Sequence, residues 1–110
     1  MKKGDCYKHA FNYVSKISKD EQDRYYIVHG IITAKVESKE DKGKQQIDHA
    51  WVEFEDVVFD TGRGVRKAGV CRKEEYYKFY SIEQKLVKRY TMSEAYKIGL
   101  NQGGHYGPWE

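Results

Sequence analysis

The sequence predicts an α+β domain, in which an N-terminal helix packs on a small antiparallel sheet and is followed by C-terminal helices. Three observations support this fold class. Apolar residues recur at helical spacing over residues 5–18, strand-like runs follow at 25–34, 48–53 and 57–60, and a helical pattern returns over 73–100. Because 110 residues suit one core, we expect residues 1–110 to form a single minimal domain.

Composition narrows the classes of function. Hydrophobic residues make up 39% of the chain and aromatic residues 15%, which is too much apolar surface for a disordered protein. The net charge is only +3 and the lysines are scattered, so we expect no specific nucleic-acid partner. The sequence has no long apolar run and no secretory signal, which predicts a cytoplasmic protein without a membrane partner. The short length also predicts that there is no cofactor.

The first predicted helix covers residues 5–18. Cys6, Ala10, Val14 and Ile17 lie on one face of this helix, and Asp5 is the predicted N-cap. We expect the polar segment at residues 19–23 to be a loop.

Three strands are predicted next. Residues 25–34 are apolar and β-branched, with a bulge expected at Gly30, and a charged loop should occupy residues 39–46. Residues 48–53 and 57–60 should form a hairpin around a turn at Glu55-Asp56. Residues 57–59 are all apolar, which predicts a strand covered on both faces.

The last third of the chain is predicted to be helical from about residue 73 to residue 100. A separate helix should begin after Thr91, since Glu94 stands at the position that completes a capping box. The glycine-rich segment at 103–109 carries large aromatic side chains, so we expect it to pack onto the body of the domain.

Cys6, His49 and Asp60 are the candidate catalytic residues. Cys6 lies at the start of a predicted helix, where partial positive charge favours a thiolate and free N–H groups can hold an oxyanion. His49 opens a strand and Asp60 ends the next one. A turn at residues 55–56 places both at the same end of a hairpin, with position 49 opposite 61 or 62. Such an aspartate can orient a histidine that acts as a base.

These residues resemble the core of the papain-like and transglutaminase-like cysteine hydrolases. The resemblance rests on Gly4-Asp5-Cys6-Tyr7 at a helix start, the pattern His49-Ala50-Trp51-Val52-Glu53, and Val58-Phe59-Asp60. The segment from Gly104 to Trp109 also resembles the Gly-His-Tyr-Gly-Pro-Trp tail of small uncharacterised phage and bacterial proteins. The resemblance implies that Cys6 is a nucleophile, His49 a general base and acid, and Asp60 its orienting partner.

The implied activity is that of a thiol-dependent acyl hydrolase, such as a peptidase, amidase or deamidase, or of an acyl transferase. Its reaction would pass through a thioester. The expected substrate is a protein, a peptide, or a small amide or ester. Trp51, His29, His105 and Tyr106 are the weaker candidates for residues that line the substrate cleft.

Two alternatives compete with this interpretation. Cys6 and His9 have ligand-like spacing, and Cys71 with His49 or His105 would complete a zinc site, although structural zinc sites prefer two close pairs. For that reason we predict no metal.

The other alternative is a catalytically inactive relative that binds a protein, for example a phage-type inhibitor of a host protein. Its predicted interface combines interleaved lysines with the four tyrosines Tyr76, Tyr77, Tyr80 and Tyr90.

Overall fold

A computed structural model describes residues 5–35, 44–62 and 69–109. The described part of the chain has mixed α and β structure, which confirms the predicted α+β class. The helices are α1 (Asp5–Ser15), α2 (Lys19–Gln22), α3 (Lys73–Phe79) and α4 (Met92–Asn101). The strands are β1 (Tyr25–Lys35), β2 (Lys44–Phe54), β3 (Val57–Asp60), β4 (Gly69–Arg72) and β5 (Lys88–Tyr90). A short 3₁₀ helix at Gln84–Leu86 precedes β5.

The five strands form one antiparallel sheet in the order β4-β3-β2-β1-β5. The long pair β1–β2 runs in register from Tyr25 opposite Phe54 to Lys35 opposite Lys44. The shorter pair β2–β3 ends at Val52 opposite Phe59. Residues 49–51 of β2 therefore lie beyond the described β2–β3 ladder.

Each face of the sheet is covered by its own core. On one face, α1, α4 and Trp109 pack against inward residues of β1 and β2, such as Ile27 and Val52. On the other face, α3 packs against the residues of opposite parity, such as Trp51 and Val58. β3 contributes to both cores, because Val58 belongs to the second and Phe59 packs against the first. This confirms the strand predicted to be covered on both faces.

The N-terminal helix is shorter than predicted. α1 includes Asp5 as a helical residue and ends at Ser15, and residues predicted as a polar loop form the short helix α2. The side chain of Gln22 donates to the carbonyl oxygen of Val14 over 3.1 Å. This bond satisfies one backbone group near the end of α1, where carbonyls have no intrahelical partner.

Gly30 does not form the predicted bulge, since the register of β1 with β2 is continuous through it. A Cβ atom at Gly30 would lie 2.6 Å from Cη2 of Trp51. The glycine is therefore explained by close packing: it leaves room for an indole ring to cross the strand.

The predicted hairpin is present. β2 and β3 are joined by a turn at Glu55 and Asp56, and Glu55 has a φ of 52° in the left-handed region. β4 was not predicted, and the charged loop and the turn predicted after Asp60 fall partly on residues 36–43 and 63–68, outside the described residues.

The helices predicted to begin near residue 73 and after Thr91 are both present, but the helical pattern predicted between them is wrong. α3 ends at Phe79, Ser81 takes a φ of 51°, and the N–H of Ile82 donates to the carbonyl oxygen of Tyr77 over 2.9 Å. The chain then returns to the sheet as β5, whose residues pair with β1. Strand pairing thus supplies the backbone hydrogen bonds that a longer helix would have made.

The last helix and the tail agree with prediction. Thr91 caps α4 in a complete capping box with Glu94. The tail packs back through Trp109, which is 6% exposed and donates from Nε1 to the carbonyl oxygen of His105 over 2.9 Å. Among the described residues, no helix is both long and apolar enough to cross a membrane.

Candidate active site

His49 and Asp60 form a hydrogen-bonded pair at the end of the β2–β3 hairpin. His49 Nε2 lies 3.1 Å from Asp60 Oδ1. Both residues share the parity of Trp51 and Val58, so they lie on the α3 face of the sheet. The β2–β3 register, continued past its last pair, sets position 49 opposite 62, as the sequence predicts. The contact therefore follows from the short turn.

Cys6 joins this pair from the first turn of α1, where its side chain is 8% exposed. Its thiol lies close enough to His49 to help raise the pKa of the ring. Because Nε2 of His49 is engaged by Asp60, Nδ1 is the ring nitrogen left for the thiol. The structure thus brings Cys6, His49 and Asp60 together in the order thiol, imidazole, carboxylate.

The protonation of His49 is set by its two partners. Burial alone would lower the pKa of the ring, but hydrogen bonds and charge attraction from Asp60 and Cys6 outweigh it and raise the pKa to about 9. Burial would raise the pKa of Asp60, whereas the contacts with His49, the Gly62 amide and Tyr76 hold it below its usual range. At neutral pH the pair is an imidazolium and a carboxylate.

Two further groups hold the Asp60 carboxylate. The N–H of Gly62 donates to Oδ1 over 3.0 Å, and the hydroxyl of Tyr76 donates to Oδ2 over 2.9 Å. A Cβ atom at Gly62 would lie 3.1 Å from both His49 Cε1 and Asp60 Oδ1, so this glycine lets the chain pass close to the pair. The sequence analysis missed the role of Tyr76, since helical spacing indicates a face and not the partner of a hydroxyl.

The sequence analysis also missed a buried polar cluster around Glu53, which is 2% exposed. The Glu53 carboxylate accepts from Trp51 Nε1 over 2.9 Å, from Arg89 Nε over 2.8 Å and from the hydroxyl of Tyr77. Burial would raise the pKa of Glu53, but these donors lower it. The Glu of the His-Ala-Trp-x-Glu pattern therefore anchors the indole of Trp51, whose ring centroid is 6.1 Å from that of His49.

Trp51 and His29 do not line an open cleft as predicted. Trp51 is fully buried, and His29 is 7% exposed with its ring packed among Tyr7, Tyr90 and Trp109. Burial, assisted by the charge of Lys88, lowers the pKa of His29 to about 4. Both are core residues, because their rings pack against other side chains inside the domain and do not face a substrate cleft.

His105 and Tyr106 lie in the tail that follows α4. His105 is exposed and accepts from the Gly107 N–H at Nδ1 over 3.2 Å. The ring of Tyr106 packs edge-on against Phe11, with centroids 5.1 Å apart. Phe11 is five residues beyond Cys6, about 7 Å along the helix axis. The structure places Tyr106 in contact with α1, and no contact among the described residues joins His105 or Tyr106 to the triad.

The zinc alternative lacks a converging set of ligands. In the described ranges, no group of three or more His, Cys, Asp or Glu side chains is arranged to hold a metal ion. Cys6 and Cys71 are both free thiols. Burial, followed by the negative charges of Glu75 and Asp60, raises the pKa of Cys71. Cys71 is therefore a neutral thiol at pH 7, in contrast to a thiol that faces an imidazolium.

The surface predicted for the binding module is not assembled as expected. Tyr76 and Tyr77 are 4% and 7% exposed and form part of the second core, and Tyr80 and Tyr90 are only partly exposed. The hydroxyl groups of Tyr76 and Tyr77 donate to Asp60 and Glu53, on the face of the sheet that α3 covers.

Comparison with known proteins adds no relative. No protein-family model, no curated protein and no solved structure matches this chain.

Proposed function

We propose that this protein is a thiol-dependent acyl hydrolase with a papain-like or transglutaminase-like core, acting through Cys6, His49 and Asp60. One observation supports this most strongly: His49 Nε2 lies 3.1 Å from Asp60 Oδ1, and the Cys6 thiol lies near enough to the same ring to affect its pKa. Hydrolysis by a cysteine nucleophile requires this arrangement of a thiol, an imidazole and a carboxylate.

The chemistry follows from these positions. In the reactive form of the site, His49 already holds the proton that the Cys6 thiol has given up, as its raised pKa favours, and the thiolate attacks the acyl carbon of an amide, ester or thioester. The imidazolium then protonates the leaving amine, alcohol or thiol as its bond to the acyl carbon breaks. A water molecule, deprotonated by His49, attacks the thioester, which releases the acid and restores the thiol. Asp60 stays ionised and stabilises the imidazolium.

The start of α1 supplies part of an oxyanion site. Since α1 begins at Asp5, the backbone N–H of Cys6 is among those without an intrahelical acceptor. Such an N–H can donate to the oxygen of a tetrahedral intermediate.

Selective alkylation tests the proposal. Iodoacetamide at pH 6 should modify Cys6 at least about tenfold faster than Cys71, because only Cys6 faces an imidazolium. The small reagent suits a thiol that is 8% exposed. His49→Ala should slow Cys6, whereas His105→Ala, which changes an exposed histidine, should not. Equal rates for the two thiols, or a rate that His49→Ala leaves unchanged, would contradict the proposal.

A second assay tests acyl transfer itself. Incubation with p-nitrophenyl acetate should release p-nitrophenol and leave an acetyl group on Cys6, which peptide mass spectrometry locates. Any acetyl group that forms on Cys6 of His49→Ala should persist longer than in the unmutated protein, since His49 activates the deacylating water. Acetylation of Cys71 or lysines alone would count against an acyl-enzyme on Cys6.

The inactive binding module is the alternative, and the burial of Cys6 favours it. Exposed apolar side chains near α3, Phe79 at 75% and Leu86 at 47%, are the described candidates for its surface. A folded protein whose Cys6 resists both reagents would support this alternative.

A further inference from the structure

We propose that Tyr76 is a positioning residue for the triad: its hydroxyl holds the Asp60 carboxylate so that Oδ1 faces His49. This inference rests on the proposed function, and it concerns a residue that the sequence analysis named only in the interface of the alternative binding module. Tyr76 is 4% exposed and comes from α3, an element that contributes none of the three triad residues.

The position of Asp60 explains why a tether is needed. Asp60 is the last residue of β3 and lies beyond the final β2–β3 pair, and its side chain keeps 24% of its surface exposed. A carboxylate there can turn toward water. Oδ1 accepts from both His49 and the Gly62 amide, while Oδ2 accepts from the Tyr76 hydroxyl at 2.9 Å. Bonds on both oxygens set the plane of the carboxylate as well as its position.

The ring of Tyr76 is itself held in place. It packs against Trp51 with centroids 5.4 Å apart and against Tyr80 with centroids 4.9 Å apart. Trp51 is in turn fixed by its bond to buried Glu53. The hydroxyl therefore projects from a rigid part of the second core, as a supporting group for a catalytic constellation must.

Tyr76→Phe separates positioning from simple electrostatics by the sign of its effect. At fixed geometry, losing a donor to Asp60 would leave the carboxylate more negative and would raise the pKa of His49. If the hydroxyl instead holds the carboxylate in place, its loss lets Asp60 turn away, and the pKa of His49 falls from about 9. We expect a fall of at least about half a unit, a threefold loss of proton affinity.

The other titratable groups that face this site come from neighbouring elements. Cys6, on α1, affects the pKa of His49. The charge of Asp60 raises the pKa of Cys71, on β4. Cys71 and Tyr80 in turn help raise the pKa of Tyr76. Tyr76→Phe leaves all of these side chains in place, so a change at His49 reports the lost hydroxyl.

The experiment is a titration of the His49 ring by NMR in the full chain, accompanied by a pH profile of Cys6 alkylation with iodoacetate. Tyr77→Phe is the matched control, since it removes the neighbouring buried hydroxyl, which bonds to Glu53 and Arg89 instead of Asp60. In Tyr76→Phe, the His49 midpoint and the alkaline limb of the alkylation profile should both move to lower pH. In Tyr77→Phe, neither should move.

An unchanged or raised His49 midpoint in a folded Tyr76→Phe protein, or equal shifts in both variants, would overturn the positioning role. If Tyr76→Phe does not fold, the unmutated protein still decides. A slowly exchanging Tyr76 hydroxyl proton that is lost in Asp60→Asn supports the contact, and its absence overturns it. An unreactive Cys6 beside a shifted His49 midpoint would reject the proposed function and leave the positioning role intact.

Discussion

Replacing Asp60 by asparagine should lower the proton affinity of His49 without changing the shape of the site. Asparagine keeps an oxygen for His49 and Gly62, and its amide can donate to the Tyr76 hydroxyl, which accepts as readily as it donates. The variant therefore removes a charge and leaves no buried group without a partner.

The size of the effect can be worked out from the site. The pKa of His49 stands at about 9 instead of 6.5, although burial opposes this rise. Asp60 and Cys6 both contribute to this rise. Removing the Asp60 charge should therefore lower the pKa of His49 by more than one unit, where one unit corresponds to about 1.4 kcal/mol. The ring, with 15% of its side chain exposed, should titrate correspondingly nearer to neutral pH.

Stability should follow with a defined sign. The folded-state pKa of His49 lies above its unfolded value, so its contribution is complete below pH 6.5 and is lost as the pH rises through about 9. That contribution is about 3 kcal/mol in the unmutated protein. Asp60 acts oppositely: its pKa is lowered, so its contribution is present above its unfolded pKa and is lost in acid. Between pH 6 and pH 10, the free energy of unfolding should therefore fall less in Asp60→Asn than in the unmutated protein.

Urea unfolding at pH 6 and pH 10, together with NMR titration of the His49 ring, measures both effects. His105→Ala serves as a control, because it removes a histidine that is exposed and bonded within the tail. The reasoning would be refuted if the His49 midpoint in Asp60→Asn stayed within half a unit of the unmutated value, or if the two proteins lost equal stability in alkali.

Three further substitutions test the packing that supports the site. Gly30→Ala places a Cβ atom 2.6 Å from the ring of Trp51, and overpacking of this kind should cost about 1–3 kcal/mol in urea unfolding; an unchanged midpoint would contradict the close approach. Glu53→Gln leaves the Arg89 guanidinium, whose side chain is 30% exposed, without its counter-charge, so thermal denaturation should show a loss of about 1–3 kcal/mol, and a loss below about 0.5 kcal/mol would refute that role. Thr91→Ala removes the N-cap of the last helix and should cost about 1 kcal/mol by chemical denaturation, whereas Thr91→Ser should cost little; equal losses would reject the cap.

Local patterns predicted the elements that position Cys6, His49 and Asp60. The spacing of Cys6, Ala10 and Val14 indicated the first helix, and the turn at residues 55–56 set the register that brings His49 and Asp60 to one end of a hairpin. These predictions succeeded because helical periodicity and short turns depend on residues close in the chain.

Patterns were less informative where two elements could form from one segment. Residues 80–90 were included in the predicted helical region, yet Ser81 takes a left-handed backbone conformation and β5 pairs with β1. Gly30 was predicted to mark a bulge. The structure shows that a glycine is needed there because the ring of Trp51, on the neighbouring strand, occupies the space of a side chain. In both cases the deciding partner is far away in sequence.

By itself, the sequence determined the α+β class, the helix that carries Cys6 and the hairpin that carries His49 and Asp60. Only the tertiary structure decided which way α3 faces, and so showed that Tyr76 donates to Asp60 and is not part of the binding surface considered in the alternative. It also showed that Trp51 and His29 are core residues. The physical reason is that periodicity reports which residues share a face, while the partner of that face depends on how distant elements pack.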